Sequence, residues 1–172
     1  MMGSGKTTVG EILATQLGYR FFDTDSVIEK VAGRSVAEIF ATAGEAEFRQ
    51  LETQVLAELS AYTKLVIATG GGIVLQRQNW SHLRHGLIIW LDVPVEQLYD
   101  RLQGDMVRPL LQDADPLQKL TTLLDQRQIL YAQADVPVRV EMGESAEQVA
   151  SRILEEIPKV LKPDIHPIAT SE

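Results

Sequence analysis

The chain opens "MMGSGKTTVG", and the run Gly3, Ser4, Gly5, Lys6, Thr7, Thr8 constrains its fold more than any other stretch. Glycines on either side of Ser4 let backbone N–H groups turn inward, and a helix starting after Gly5 points its positive end at the same place. Lys6 adds a mobile cation, and Thr7 offers a hydroxyl to a divalent cation. These residues fill the end of the pattern G-x-x-x-x-G-K-[ST], a loop that cradles nucleotide phosphates between a buried strand and a helix. The competing reading is a glycine-rich turn that merely caps a helix, and it leaves the lysine and threonine unexplained. Counting back from Gly5 puts the first glycine of the pattern one residue before Met1. The strand that feeds such a loop is likewise absent from the sequence.

The rest of the chain alternates helical and strand patterns. Apolar positions Val9, Ile12, Leu13 and Leu17 predict a helix from Gly5 to a stop at Gly18. Strands are predicted at 19–23, 65–69, 87–93 and 136–141, each a short apolar run bounded by turn residues. Ser35 with Glu38 three residues on is a capping-box signature, and long helical patterns follow at 45–62, after Pro94, up to Tyr131, and from Ser145. Continuous apolar strands separated by helices predict an α/β fold with a parallel sheet covered on both faces. One domain is expected over residues 1–158, with a helical segment at about 26–62, a polar lid-like stretch at about 104–116 and a flexible tail at 159–172.

Composition narrows the function classes. The 172 residues are 45% hydrophobic, enough for a core, and none is cysteine, so disulfides and thiolate sites are excluded. The net charge of −8 argues against a general nucleic-acid surface but permits one small anionic ligand in a local basic pocket. No apolar run is long enough to span a membrane, and no leader pattern opens the chain. A cytoplasmic monomer is expected, with residues upstream of Met1 left open.

Three further signals bear on chemistry. In "FFDTD", Asp23 ends a strand and Asp25 is expected two residues later in the loop, at the carboxyl end where open α/β sheets bind ligands. One carboxylate there can serve Mg²⁺ and the other can take a proton from a hydroxyl; the same pair also suits a helix cap. In "ATGGGIV", Gly70, Gly71 and Gly72 follow a buried strand, as expected where a substrate approaches the backbone closely. Arg49, Arg108 and Arg127 are the candidate anion-binding arginines, and Arg108 lies in the lid-like stretch beside a proline. The three histidines have no metal-ligand spacing.

Taken together, "GSGKTTVG", "FFDTDSVIE", "SVAEIFATAGEAEFRQLE", "ATGGGIV", "WLDVP" and "VRPLL" resemble the shikimate kinase family in order and spacing. The resemblance implies a P-loop kinase fold with a five-stranded parallel sheet in the order 2-3-1-4-5. It implies transfer of phosphate from ATP to the 3-hydroxyl of shikimate, with Mg²⁺ as cofactor. By similarity, Asp25, Arg49 and Arg127 would hold shikimate, with Gly70, Gly71 and Gly72 lining its pocket. Gly3, Ser4, Gly5, Lys6, Thr7, Thr8 and Arg101 would bind ATP, and Thr7 and Asp23 would serve the metal. Lys6 and Arg108 would stabilise the transferring phosphoryl group, with Asp25 orienting the acceptor hydroxyl and taking its proton. "EMGESAEQ" departs from the basic, proline-containing motif the family often carries on the adenine side, so no adenine contact is expected from it. Two other functions stay open at this point. One is another small-molecule kinase, such as one acting on gluconate. The other is a nucleotide-binding protein that lost the chemistry with its first strand and first glycine.

By the same resemblance, the strand before the loop would lie at the sheet centre. Five buried strand side chains contribute on the order of 8–15 kcal/mol, comparable to the whole stability of a typical domain. Either the natural reading starts about ten residues earlier, or another segment fills the gap. An apolar strand and a glycine fused before Met1 are therefore expected to raise stability by several kcal/mol. Coincident thermal unfolding of the two chains would contradict this.

Overall fold

The computed structural model describes residues 1–103 and 115–161. The element order is α1 (Lys6–Leu17), β1 (Arg20–Asp23), α2 (Thr24–Ala32), α3 (Val36–Ser60), β2 (Leu65–Ala68), a 3-10 turn (Ile73–Leu75), α4 (Asn79–Leu83), β3 (Ile89–Asp92), α5 (Val95–Leu102), α6 (Pro116–Tyr131), β4 (Val136–Arg139) and α7 (Ala146–Val160). All four predicted strands are present, each trimmed by a residue or more. Arg108 and most of the expected lid lie outside the described residues, as does the tail from residue 162. Helix α7 runs on to Val160, two residues past the expected domain end.

Local chemistry sets the helix ends. Helix α1 stops at Gly18, which takes a left-handed conformation. Ser35 and Ser145 each form a capping box, with Glu38 and Gln148. Helix α3 contains a break at Gly44, whose φ of 81° and ψ of 176° suit glycine alone, so the two helical patterns read from sequence sit end to end across a kink. Helix α2 is a difference from expectation. Asp25 lies in its first turn and not in a loop, because Asp23 is a good N-cap.

The strands pair two and two. β1 runs parallel to β2 with Phe22 opposite Ile67, and β3 runs parallel to β4 with Trp90 opposite Pro137. These pairs correspond to the 2-3 and 4-5 flanks of the expected order, and among the described residues no strand lies between them. Helix α1 packs on β1, β2 and α7, and α7 packs on β4, so these two helices bridge the strand pairs. Strand burial is only partial along β1, β2 and β3, in contrast to the fully buried runs expected. Two-stranded sheets leave open edges, and Pro137, which has no N–H to donate, marks β4 as one.

Two apolar clusters hold this frame. The larger joins α1 to β3, β4 and the later helices through Leu13, Leu91, Leu98, Val138 and Ile153. The smaller lies under α2 and α3, where Ile28 and Ile39 are fully buried beside Phe48 and Val55. Each such side chain contributes about 1.5–3 kcal/mol of transfer free energy. Met1 is itself buried, and its α-amino pKa is pushed down to about 4 by burial first, then by Lys6 and Arg127. A cavity of about 70 Å³ lies alongside, between Thr69 and Gly71 on one side and Trp90 and Leu91 on the other.

Candidate active site

The first turn of α1 and the three residues before it form a cradle. Gly3 and Gly5 have φ of 71° and 87°, the left-handed region that side chains avoid. Gly5 is the N-cap of α1 and offers no side-chain oxygen, so the helix's first N–H groups have no internal cap. Uncapped amides with a helix dipole behind them favour an anion. Ser4 is buried and donates from Oγ to Met1 O at 2.8 Å, which fixes the turn. Lys6 Nζ folds back onto the same carbonyl at 2.6 Å and onto Ser4 Oγ at 3.3 Å. The ammonium is thus held at the cradle. Arg101 reaches it from α5, with Nη1 3.4 Å from Gly3 O.

The loop is tied to the end of β1 by one bond. Thr7 Oγ1 donates to Asp23 Oδ2 at 3.0 Å. The other oxygen of Asp23 accepts from the amides of Asp25 at 3.0 Å and Ser26 at 3.3 Å. Of the readings of "FFDTD", the helix cap is present: Asp23 caps α2, and its other oxygen faces the glycine-rich loop. Their two oxygen groups make a hard donor pair of the kind Mg²⁺ takes when phosphates and waters supply its other ligands. Among the described residues there is no cluster of three or more acidic, histidine or cysteine side chains to suggest any other metal centre.

The triple glycine joins the two sides. A Cβ at Gly70 would come within 2.8 Å of Glu52 Oε1 and 3.1 Å of Asp25 Oδ1. A Cβ at Gly72 would collide with the Arg49 guanidinium. A side chain at either position would displace these charged groups, which come from α2 and α3 and lie against this backbone. Gly70 N donates to the buried Thr24 Oγ1 at 3.1 Å, and Gly71 O accepts from Tyr131 at 2.7 Å. Asn79, also buried, bridges Ile73 O and Thr53 and so fixes the following turn against α3.

Arg49 sits between two carboxylates on its own helix. Its Nη1 lies 2.7 Å from Glu52 Oε2 and its Nη2 3.1 Å from Glu45 Oε1. Burial works against its charge, but Glu52 and Glu45 outweigh that and raise its pKa. Glu52 is fully buried, and burial raises its pKa, opposed by Arg49 and Arg127 and reinforced by Asp25. Its Oε1 is buried without a hydrogen-bond partner. Arg127, on α6, interacts with the Tyr131 hydroxyl, whose pKa burial raises and Arg127 lowers in part. One chain of contacts therefore runs from Thr7 through Asp23 and Asp25 to Gly70, Glu52, Arg49 and Gly72.

Sequence reasoning missed Glu52, Tyr131, Thr24 and Asn79. The signals were there for two of them. Glu52 is three residues after Arg49, and Tyr131 is four after Arg127, each on the same helix face. Thr24 and Asn79 carry no spacing signal; only their burial identifies them.

A carboxyl with a raised folded pKa contributes its stability below its unfolded value, near 4.5, and loses it as pH rises through the folded value. Urea midpoints for the wild type are therefore expected to fall relative to those of Glu52→Gln as pH rises from 4.5. Parallel curves for the two proteins would remove Glu52 from that role.

Comparison with known proteins agrees with this geometry. The family model described as shikimate kinase matches residues 2–158. A shikimate kinase of Nostoc sp. is 60% identical over 162 residues, covering 94% of this chain and 90% of the relative. The solved shikimate kinase from Acinetobacter baumannii in complex with shikimate superposes with a TM-score of 0.87 at 42% identity, covering 92% of this chain and 89% of that one. The shikimate kinase from Bacteroides thetaiotaomicron superposes with a TM-score of 0.84 at 32% identity, covering 92% and 94%.

Proposed function

The chain belongs to the shikimate kinase family, and on that premise we propose that it transfers the γ-phosphoryl group of ATP to the 3-hydroxyl of shikimate. The P–O bond to ADP breaks, the bond to the shikimate oxygen forms, and the hydroxyl proton leaves. The products are shikimate 3-phosphate and ADP, in aromatic amino-acid synthesis. The observation that carries this reading is the unbroken line of contacts from the phosphate loop to Arg49 across Gly70 and Gly72. It joins an anion cradle to a cluster of carboxylates and a guanidinium around Gly70 and Gly72, chemistry that suits the two ends of a hydroxy-acid acceptor.

Each residue's part follows from its chemistry. Gly3, Ser4, Gly5, Lys6, Thr7 and Thr8 hold the phosphates, and Arg101 lies against the adenine. Arg49 and Arg127 grip the shikimate carboxylate; a planar fork does this bidentately and so fixes the ring. Arg49 is kept aimed by Glu52, and Gly70, Gly71 and Gly72 allow the ring to come close to the backbone. Asp25 orients the 3-hydroxyl and takes its proton. Phosphoryl transfer asks a protein mainly for position and charge stabilisation, so Asp25 is an aligner and base more than the main source of rate. Mg²⁺, held by Thr7 and Asp23, neutralises phosphate charge when bound. Lys6 adds a positive charge on the transferring group, and Arg108 from the 104–116 stretch adds a second. No described helix is long and apolar enough to cross a membrane, and ATP and shikimate are the only partners the reading requires.

The direct test is ATP turnover with shikimate and, separately, with gluconate, in the presence of Mg²⁺. Turnover with shikimate alone supports the reading, and equal turnover with gluconate contradicts it. Asp25→Asn is expected to keep ATP binding and lose about 10²–10⁴ in kcat. Lys6→Ala is expected to weaken both ATP binding and turnover. Undiminished rates would take Asp25 out of the proton transfer and Lys6 out of the phosphate site.

A further inference from the structure

The nucleotide half of the site has a wall to which the sequence reading gave no part. A cavity of about 240 Å³ opens beside the phosphate loop, between Gly5 and Thr8 on one side and Arg101, Val140, Glu144 and Ala146 on the other. With phosphates on the loop amides, the nucleoside end of ATP extends into this space. Its far wall is the turn between β4 and α7, the "EMGESA" stretch.

That turn has little apolar anchorage. Met142 is 81% exposed, and Gly143 has a φ of 77° with nothing packed where a Cβ would be. A turn of this kind keeps one shape only if its polar groups are pinned. Glu144 pins it. Its carboxylate is 10% exposed, and Oε2 accepts from the Glu141 amide at 3.0 Å. Oε1 accepts from Arg152 Nη1 at 2.7 Å. Arg152, on α7, donates from its other nitrogen to Arg139 O at 2.6 Å, at the end of β4. One guanidinium thus ties strand, turn and helix together. The Ser145 capping box holds the start of α7 at the same place.

We propose that Glu144 and Arg152 form a clasp that positions the nucleoside-side wall of the ATP cavity and thereby sets ATP affinity without touching the reacting atoms. Both oxygens of Glu144 are already engaged inside the protein, so the pair acts through the shape of the turn. Arg152 is a positioning residue, and its effect belongs in the binding of ATP rather than in the chemical step. The clasp rests on the reading that ATP phosphates occupy the Gly3–Thr8 loop.

The test is steady-state kinetics of the full chain carrying Arg152→Gln or Arg152→Lys, varying ATP at saturating shikimate and then the reverse. Arg152→Gln, which removes the guanidinium bonds to Glu144 and to Arg139 O, is expected to raise the KM for ATP about five- to tenfold, with Arg152→Lys in between. The kcat and the KM for shikimate should stay within about twofold. ADP binding by calorimetry should weaken by the same factor and does not depend on turnover. An unchanged KM for ATP and unchanged ADP affinity in Arg152→Gln would overturn the clasp, as would a parallel loss in kcat and both KM values. Glu144→Gln, which keeps the bond from the Glu141 amide, reads the same way if Arg152→Gln does not fold. A wild type that binds ADP but does not phosphorylate shikimate would count against the proposed reaction and leave the clasp testable by ADP binding.

Discussion

The two halves of the site meet at the carboxylate of Asp23. One of its oxygens accepts a hydrogen bond from the Thr7 hydroxyl, and the other accepts from two amides at the start of α2. The phosphate loop is therefore registered to the helix that carries Asp25. That bond is short and directional, and it sets the distance between the two halves. Positional precision of this kind is what phosphoryl transfer needs, since a misplacement of 1 Å costs on the order of 10²-fold in rate.

The acceptor side depends on a different constraint, the crowding of charge around a backbone without side chains. Asp25, Glu52 and Arg49 come from two helices and converge on Gly70 and Gly72. A buried carboxylate is costly unless it is paired, and here Arg49 pairs it while burial still raises its pKa. Holding Glu52 there gives Arg49 a fixed direction.

Much of this was legible in the sequence because the signals were local. Gly5, Lys6 and Thr7 announce their geometry within three residues, and the capping boxes at Ser35 and Ser145 announce helix starts. The strand runs were found because their apolar residues are contiguous. The placement of Asp25 in a loop was an error of the same local reasoning: Asp23 caps a helix that starts at Thr24, so Asp25 falls in its first turn. The continuous burial expected of the strands also failed, because their partial burial follows from pairing in two separate ribbons, which no single strand records.

The sequence by itself determined the glycine-lined cradle and the parallel α/β character, since each rests on residue type and spacing along one segment. Only the tertiary structure decided which of those residues share a site. The contact of Glu52 and Arg49 with glycines some twenty residues later, the bond from Tyr131 to Gly71, and the clasp of Arg152 on the turn before it all depend on how helices pack on strands. Packing is a sum over many weak apolar contacts from distant segments, and no short stretch of sequence carries that sum.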